Sequence, residues 1–402
     1  MPEKPLLSFV SYKQGAFIVL EGERNADRFF IIKEGQVLLS KEVELVTEDS
    51  LLSEGDFFGV VSSMSGHRYI ETARACTSVV LISVFKDQYA RLIQNNAPIA
   101  MKIIRQFSKR MRYLNEALTA KIFSQNAPDT AGQIYNVAEY YMRQAQYSIA
   151  FYAYHQYIKN SPAGEYTASA KAMMVKLAPR IRKVQFEQNF TEFNRRYAKN
   201  TMIFAEGEPG HDLYIIQKGA VKIVKIAQEQ EVLLAVLQAG DIFGEMALLE
   251  SKPRTACAVA FEDASLMAVN RQNFENIAVT QPQLVARLTM LLSDRIWFSY
   301  KQLANAHIVD PLGRLYDQLL IHLEKDGMRY GERQSYIFNF GPRELVNMVG
   351  ISKQEGINLT KRMMANGRIT ADADRIYVSD ITEIFKQAEF YRKLDKIDRS
   401  HV

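Results

Sequence analysis

Glu245 and Arg254 are the two side chains of this sequence best placed to do chemistry together. They lie in the stretch 240–258, with Phe243 and Gly244 just before the glutamate and Pro253 just before the arginine. An arginine is a permanent cation whose forked donors fit a phosphate, and a glutamate accepts from a sugar hydroxyl. Gly244 lets main chain approach a ligand closely. Pro253 stiffens the lead into the arginine. Residues 246–249, beginning at Met246, read as one short helical turn. The unpaired N–H groups at a helix start attract an anion. Thr255 adds a hydroxyl, and Ala256 opens an apolar strand. These residue types suit the non-covalent capture of a phosphorylated sugar.

The run Phe243-Gly244-Glu245 followed by Pro253-Arg254-Thr255-Ala256 resembles the phosphate-binding cassette of cyclic-nucleotide-binding domains. The resemblance implies that Arg254 takes the cyclic phosphate and Glu245 the ribose 2'-hydroxyl. Thr255 would stand near phosphate and base. The implied ligand set is Phe243, Gly244, Glu245, Met246, Arg254, Thr255 and Ala256. Ser299 and Tyr300, on a later helix, stand where that family often offers a base contact. Thr255 is compatible with cAMP and with cGMP, so the effector stays open between the two.

The elements that position these residues are short strands broken by glycine turns, a pattern that predicts a β-roll or jelly roll. The pattern occurs twice. Gly22 and Gly207 are 185 residues apart, as are Gly55 and Gly240, Phe58 and Phe243, and Gly59 and Gly244. Ile31-Ile32 answers Ile215-Ile216 with one residue inserted. The chain therefore holds two copies of one module. At the same offset Val60 stands for Glu245, Tyr69 for Arg254, Ile70 for Thr255 and Glu71 for Ala256. The first copy lacks both the ribose acceptor and the phosphate cation. We expect it to be structural and to bind no cyclic nucleotide, although His67, Arg68 and Arg74 lie nearby.

Between the rolls the period changes. Phe107, Met111, Leu114 and Leu118 recur at helical spacing over 98–123. Residues 131–164 fit one 34-residue tetratricopeptide repeat, with Ile134, Val137, Ala138 and Tyr141 on its first helix and Ala150, Tyr154 and Tyr157 on its second. A single repeat cannot bury its own faces, so it is expected to pack on a roll as a spacer. It is also the place where a protein partner would bind. Residues 282–306 carry a stripe of Leu284, Leu288, Leu291, Leu292, Ile296 and Leu303. In the catabolite activator protein family the corresponding helix joins two subunits. This implies a homodimer, with pairing to the earlier helix inside one chain as the rival arrangement.

The last segment reads as helix, strand, helix, glycine turn, capped helix and hairpin. Pro342 suits a first helical turn, Gly350 ends that helix, and Ser352 with Glu355 forms a capping box. Gly367 precedes the hairpin. The order is that of a winged helix-turn-helix and resembles the DNA-binding domain of the same regulator family over 311–384. Ser352, Lys353, Gln354, Asn358 and Lys361 are its candidate contacts to double-stranded DNA. From 341 to 369 five basic residues face two acidic ones. Gly356 departs from the family pattern, which has an apolar residue there.

Length and composition fit this plan. The 402 residues allow two to four domains, and 48% are apolar. Two cysteines make neither a disulfide framework nor a metal cluster. No apolar run is long enough to span a membrane, and the N-terminus lacks a signal-peptide layout, so a cytoplasmic protein is expected. The sequence offers no arguable Ser-His-Asp order, no Walker loop and no metal-ligand cluster, so no enzymatic activity is expected. The expected fold class is α+β multidomain. Its domains are a degenerate cyclic-nucleotide-binding-like roll with its helix (1–124), a tetratricopeptide-like spacer (125–185), an intact roll with its helix (186–306) and a winged helix-turn-helix (307–402). The expected function is a cyclic-nucleotide-responsive transcription regulator. The alternative is a scaffold in which the nucleotide controls a protein contact.

Overall fold

The computed structural model describes residues 8–24, 26–41, 50–123, 130–181, 193–227, 230–245, 253–270, 273, 280–331, 333–365 and 367–400. Alternating apolar residues form eight short strands in the first roll. They are β1 (Ser8–Tyr12), β2 (Phe17–Val19), β3 (Arg28–Glu34), β4 (Val37–Ser40), β5 (Leu51–Leu52), β6 (Phe57–Phe58), β7 (Thr72–Ala75) and β8 (Val79–Phe85). They make two antiparallel sheets in the orders β1-β8-β3-β6 and β2-β7-β4-β5. A short helix, α1 (Val60–Ser65), lies between β6 and β7, and α2 (Tyr89–Asn95) and α3 (Ala97–Phe123) follow. Phe30, Ile32, Phe58, Ala73, Val79 and Leu81, drawn from both sheets, share one core.

The second roll repeats this order strand for strand. Its strands are β9 (Asn194–Tyr197), β10 (Met202–Phe204), β11 (Asp212–Lys218), β12 (Val221–Ala227), β13 (Gln230–Leu237), β14 (Ile242–Phe243), β15 (Cys257–Ala260) and β16 (Ala264–Asn270). The sheets run β9-β16-β11-β14 and β10-β15-β12-β13. The register matches too. Arg28 pairs with Phe85 where Asp212 pairs with Asn270, so the internal repeat seen in the sequence is a repeat of structure.

Three helices precede the second roll: α4 (Thr130–Arg143), α5 (Tyr147–Asn160) and α6 (Thr167–Leu177). Ile134, Val137, Ala138, Ala150, Ala153 and Tyr157 pack among themselves and against Met202, Val224, Cys257 and Val259 of the outer face of β10, β12 and β15. The helical pair thus buries its apolar side on a roll, as a lone repeat must. The expected 125–130 linker falls mostly outside the described residues.

The long helix α7 (Pro282–Asn305) leads to α8 (Pro311–Lys325), which Asp310 caps through the Leu312 and Gly313 amides. Then come β17 (Tyr336–Phe338), α9 (Pro342–Met348), α10 (Lys353–Met364), β18 (Ile369–Ala371) and β19 (Ile376–Val378). The last helix, α11 (Thr382–Ser400), was not foreseen from the sequence. It lies along α8, where Arg392 donates to Asp317 at 2.5 Å. No described helix is long and apolar enough to cross a membrane.

The chain divides into two compact units. One gathers Met1–Tyr89, Tyr113–Ser124 and Leu292–Val402, the other Ala90–Arg112 and Gln125–Leu291. The units part at Ser124 but run through residues 185 and 306, and α3 and α7 each contribute to both. The leucine stripe of α7 was expected to pair two chains. In the single chain Leu288 and Leu292 are each 1% exposed and Ile296 is fully buried, while Leu284 and Leu291 are half-buried.

Candidate functional site

The candidate site is built on the turn between β14 and β15 of the second roll. Gly244 takes a φ of 78°, and a Cβ there would stand 2.7 Å from Arg254 Nη1. Only glycine allows both the left-handed conformation and this approach. Glu245 follows and is buried. Met246 and the helical turn expected after it lie outside the described residues. Phe243 stacks on Tyr214 at 5.2 Å between ring centroids, with Phe204 close to both.

Arg254 enters this cluster from the segment just before β15. Its guanidinium lies 4.1 Å from the Phe204 ring centroid and is 6% exposed. Nη1 donates to the Gly244 carbonyl at 2.6 Å and Nη2 to the Asp212 carbonyl at 2.8 Å. Nε is buried and has no hydrogen-bond partner among the described residues. Among the described residues Arg254 forms no ion pair. A buried cation is costly unless it is paired, so the arrangement favours an anion. The main chain is fixed as well. The Arg254 amide donates to the Glu208 carbonyl at 2.8 Å, and the Gly207 amide donates to the Arg254 carbonyl at 2.9 Å. Thr255 is half-buried and Ala256 buried beside it.

Sequence reasoning missed the support beneath. Arg195 of β9 is buried and donates from Nη2 to Asp212 Oδ2 at 2.7 Å and from Nη1 to the Tyr214 hydroxyl at 3.1 Å. It thereby holds the residue whose carbonyl receives Arg254. A charged residue at an inward position of an alternating strand was the available signal.

In the first roll the same geometry carries different chemistry. Tyr69 takes the slot of Arg254, and its hydroxyl donates to the Arg28 carbonyl at 3.1 Å, the counterpart of the Asp212 carbonyl. The Gly59 amide donates to Glu71 Oε1 at 2.9 Å, so a carboxylate of the chain itself caps this cradle. Burial pushes the Tyr69 hydroxyl far above the usual tyrosine range and keeps it neutral.

Ser299 and Tyr300 are the two expected ligand residues carried by α7. They belong to the unit of the first roll, where the buried Tyr300 hydroxyl donates to Glu21 Oε1 at 3.1 Å. On the same helix Trp297 stacks on His67 at 4.0 Å, and His67 Nε2 lies 2.7 Å from Asp294 Oδ1. Burial raises Asp294, but the His67 hydrogen bond and charge hold it below its ordinary value. At the second roll it is α3 that meets the cassette, with Arg112 Nη1 donating to the Pro253 carbonyl at 3.3 Å. Helix period alone could not tell which roll each helix would join.

The C-terminal candidates lie on α10. Ser352 caps it, accepting from the Glu355 amide at 3.4 Å. Gln354, Asn358 and Lys361 are exposed, while Leu359 and Met363 enter the core with Leu345 and Val346 of α9. The Lys353 side chain lies outside the described residues. Gly356 has a packing reason, since a Cβ there would stand 2.4 Å from Val346 Cγ1. The two helices meet at that point, which explains the departure noted in the sequence.

Comparisons with known proteins agree with the repeat. The sequence matches the cyclic nucleotide-binding domain family twice, over residues 9–96 and 194–281. It is 26% identical over 193 residues to a CRP-like cAMP-activated global transcriptional regulator of Mycobacterium tuberculosis, covering 48% of this chain and 86% of that one. It is 37% identical over 106 residues to the cyclic AMP receptor protein of Thermus thermophilus, covering 26% and 49%. A solved CRP-family transcriptional regulator from Thermus thermophilus is 21% identical with a TM-score of 0.37, covering 48% of this chain and 96% of that one.

Proposed function

Since the chain is a cyclic-nucleotide-binding regulator of the catabolite activator protein (CRP/FNR) family with two such domains in tandem, we propose that it binds one cyclic nucleotide, at the second roll, and in response binds duplex DNA. The observation that carries the reading is Arg254, a buried cation with an unpartnered Nε and no ion pair among the described residues. Phosphate takes Arg254, the ribose hydroxyl takes Glu245, and Thr255 lies beside them. The Mycobacterium tuberculosis and Thermus thermophilus sequence relatives are named for cAMP, which favours cAMP over cGMP.

The output is the segment 311–384, read as a winged helix-turn-helix with α10 as its recognition helix. Exposed Gln354, Asn358 and Lys361 support that role, since such side chains read base edges or grip phosphate. Helix α7 precedes this segment and couples to it. Lys301 lies 3.9 Å from Glu324 of α8, and Asn305 donates to Asp317 at 3.0 Å. The nucleotide shifts the output only by binding its two states unequally. One chain offers one recognition helix, so a two-fold operator requires two chains.

Calorimetry with cAMP and cGMP tests the reading. One site per chain is expected, abolished by Arg254→Glu. Losing the contacts of Arg254 and Glu245 together is worth about 3–6 kcal/mol, at roughly 1.5–3 kcal/mol for each bond to a charged group. A stoichiometry of two would show the first roll at work through His67, Arg68 or Arg74. Selection from random duplexes tests the output. If no sequence is enriched with either nucleotide, the scaffold reading replaces the regulator.

A further inference from the structure

The helical pair α4–α5 is fastened to the second roll at a place that bears on Arg254. The buried Tyr152 of α5 points its hydroxyl at three acceptors, each at 3.1 Å: the Ile203 carbonyl and both carboxylate oxygens of Glu208. The hydroxyl has one proton, and the ionised carboxylate is the strongest of the three acceptors. Glu208 Oε2 also accepts from the Ala205 amide at 3.0 Å. The main chain of Glu208 is the segment that holds Arg254, through the Arg254 amide and the neighbouring Gly207 amide. A bridge between Pro209 and Pro253 extends the pairing by one residue. Glu208 thus ties α5 on one side to the backbone of the phosphate cation on the other.

The first roll supplies an internal control. The same backbone pairing is present there, with the Gly22 amide on the Tyr69 carbonyl at 2.8 Å and the Tyr69 amide on the Glu23 carbonyl at 3.1 Å. The glutamate is kept as Glu23, but it is exposed, and its carboxylate reaches only back to the Leu20 amide at 3.3 Å. Among the described residues, a tyrosine is fixed on this glutamate only in the roll that carries the arginine.

We propose that Tyr152 is a positioning residue for the nucleotide site: through Glu208 it sets the segment from which Arg254 reaches the phosphate, and so makes the helical pair part of the site. This rests on the reading of the second roll as the nucleotide site. Two effects act together. The anchored carboxylate fixes the backbone register of Arg254. Its lone pairs are also occupied by Tyr152 and Ala205, so it competes less with phosphate for the guanidinium. Burial raises the Glu208 carboxyl to about 6, against the Ala205 amide, Tyr152, Arg254 and Lys159, which lower it. Tyr152 and Lys159 face it from α5, Tyr214 from β11 and Cys257 from β15.

The experiment is titration of the full chain with cAMP and cGMP between pH 5 and 8, for the wild type, Tyr152→Phe and Tyr141→Phe. Tyr141 of α4 makes a comparable bond, 2.7 Å to Glu231 of β13. Removing it weakens the fastening of the helices without touching the segment of Arg254. The expected result is a Kd raised roughly tenfold in Tyr152→Phe, the scale of one lost hydrogen bond to a charged group. The midpoint of the pH dependence of Kd should move upward, since the hydroxyl no longer stabilises the anion of Glu208. Tyr141→Phe should leave both unchanged. If the two variants alter Kd alike and neither moves the midpoint, the helices only stabilise the fold, and the positioning role is overturned. An unchanged Kd in Tyr152→Phe overturns it as well. Should the wild type give no heat with either nucleotide, the nucleotide reading itself fails. Glu208→Gln covers a Tyr152→Phe that does not fold. It removes the titrating group, and the pH dependence near 6 should vanish. Persistence of that dependence counts against the proposal.

Discussion

Where the second roll has Arg254, the first has Tyr69, and both side chains reach the equivalent backbone carbonyl. A neutral hydroxyl satisfies that carbonyl and leaves no charge to be met, whereas the guanidinium satisfies it and keeps its cation for a ligand. Glu71 completes the difference by placing a carboxylate where the second roll has Ala256. These residue-level contrasts were legible in the sequence because the motif is local and the repeat supplies its own alignment. Arg195, His67 and Tyr152 were not, since their roles depend on partners far along the chain. His322 of α8 is another such residue. Packed among Phe298, Phe338 and Phe340, it is lowered to about 4, chiefly by burial. A histidine whose folded pKa lies below its unfolded value stabilises fully above pH 6.5, and that contribution is lost as pH falls towards 4. The shift corresponds to roughly 3 kcal/mol at most. Tm should therefore fall more steeply over this window in the wild type than in His322→Phe, as thermal melts at successive pH values would measure.

At the scale of elements, the sequence placed the long helices and the capped α10 because 3.6-residue periodicity and capping residues are local signals. It placed their partners badly. Nothing in the period of α7 says that its second half joins the first roll, nor in α3 that Arg112 meets the second. Helix α11 is hard to read from sequence because its exposed Phe390 and Ile397 blur the boundary between an apolar and a polar face. Gly356 shows how an apparent defect in one element is a requirement of two. Over-packing a tight contact costs typically about 1–3 kcal/mol. Gly356→Ala should accordingly destabilise the C-terminal region by that amount. It should also weaken duplex binding without changing nucleotide affinity. Denaturant melts paired with calorimetry would separate the two effects, and a variant as stable as wild type would show that Val346 yields.

At the scale of the molecule, one module has been used twice with opposite surroundings. The outer face of β10, β12 and β15 is covered by helices and lined with Met202, Val224, Cys257 and Val259. The matching face of the first roll leaves Phe17 and Leu38 exposed and carries Arg74, Thr72 and Ser40. The first unit is completed by late sequence. His67 waits 227 residues for Asp294, and Glu21 waits 279 for Tyr300. At synthesis rates of about 5–20 residues per second, the first roll spends roughly ten to fifty seconds without its helix. The second roll and its helical pair, whose residues lie mostly between 125 and 291, can close during that interval. The chain's single tryptophan is Trp297, stacked on His67 and 1% exposed. Its emission therefore reports the closing of the first unit and is blind to the second. In refolding from denaturant, the tryptophan signal should lag the far-ultraviolet signal of secondary structure, because contacts this distant form slowly. Simultaneous recovery of both signals would mean that the two units fold as one cooperative body. A lag would give the protein an intrinsic clock for the moment when the first roll and α7 become one piece.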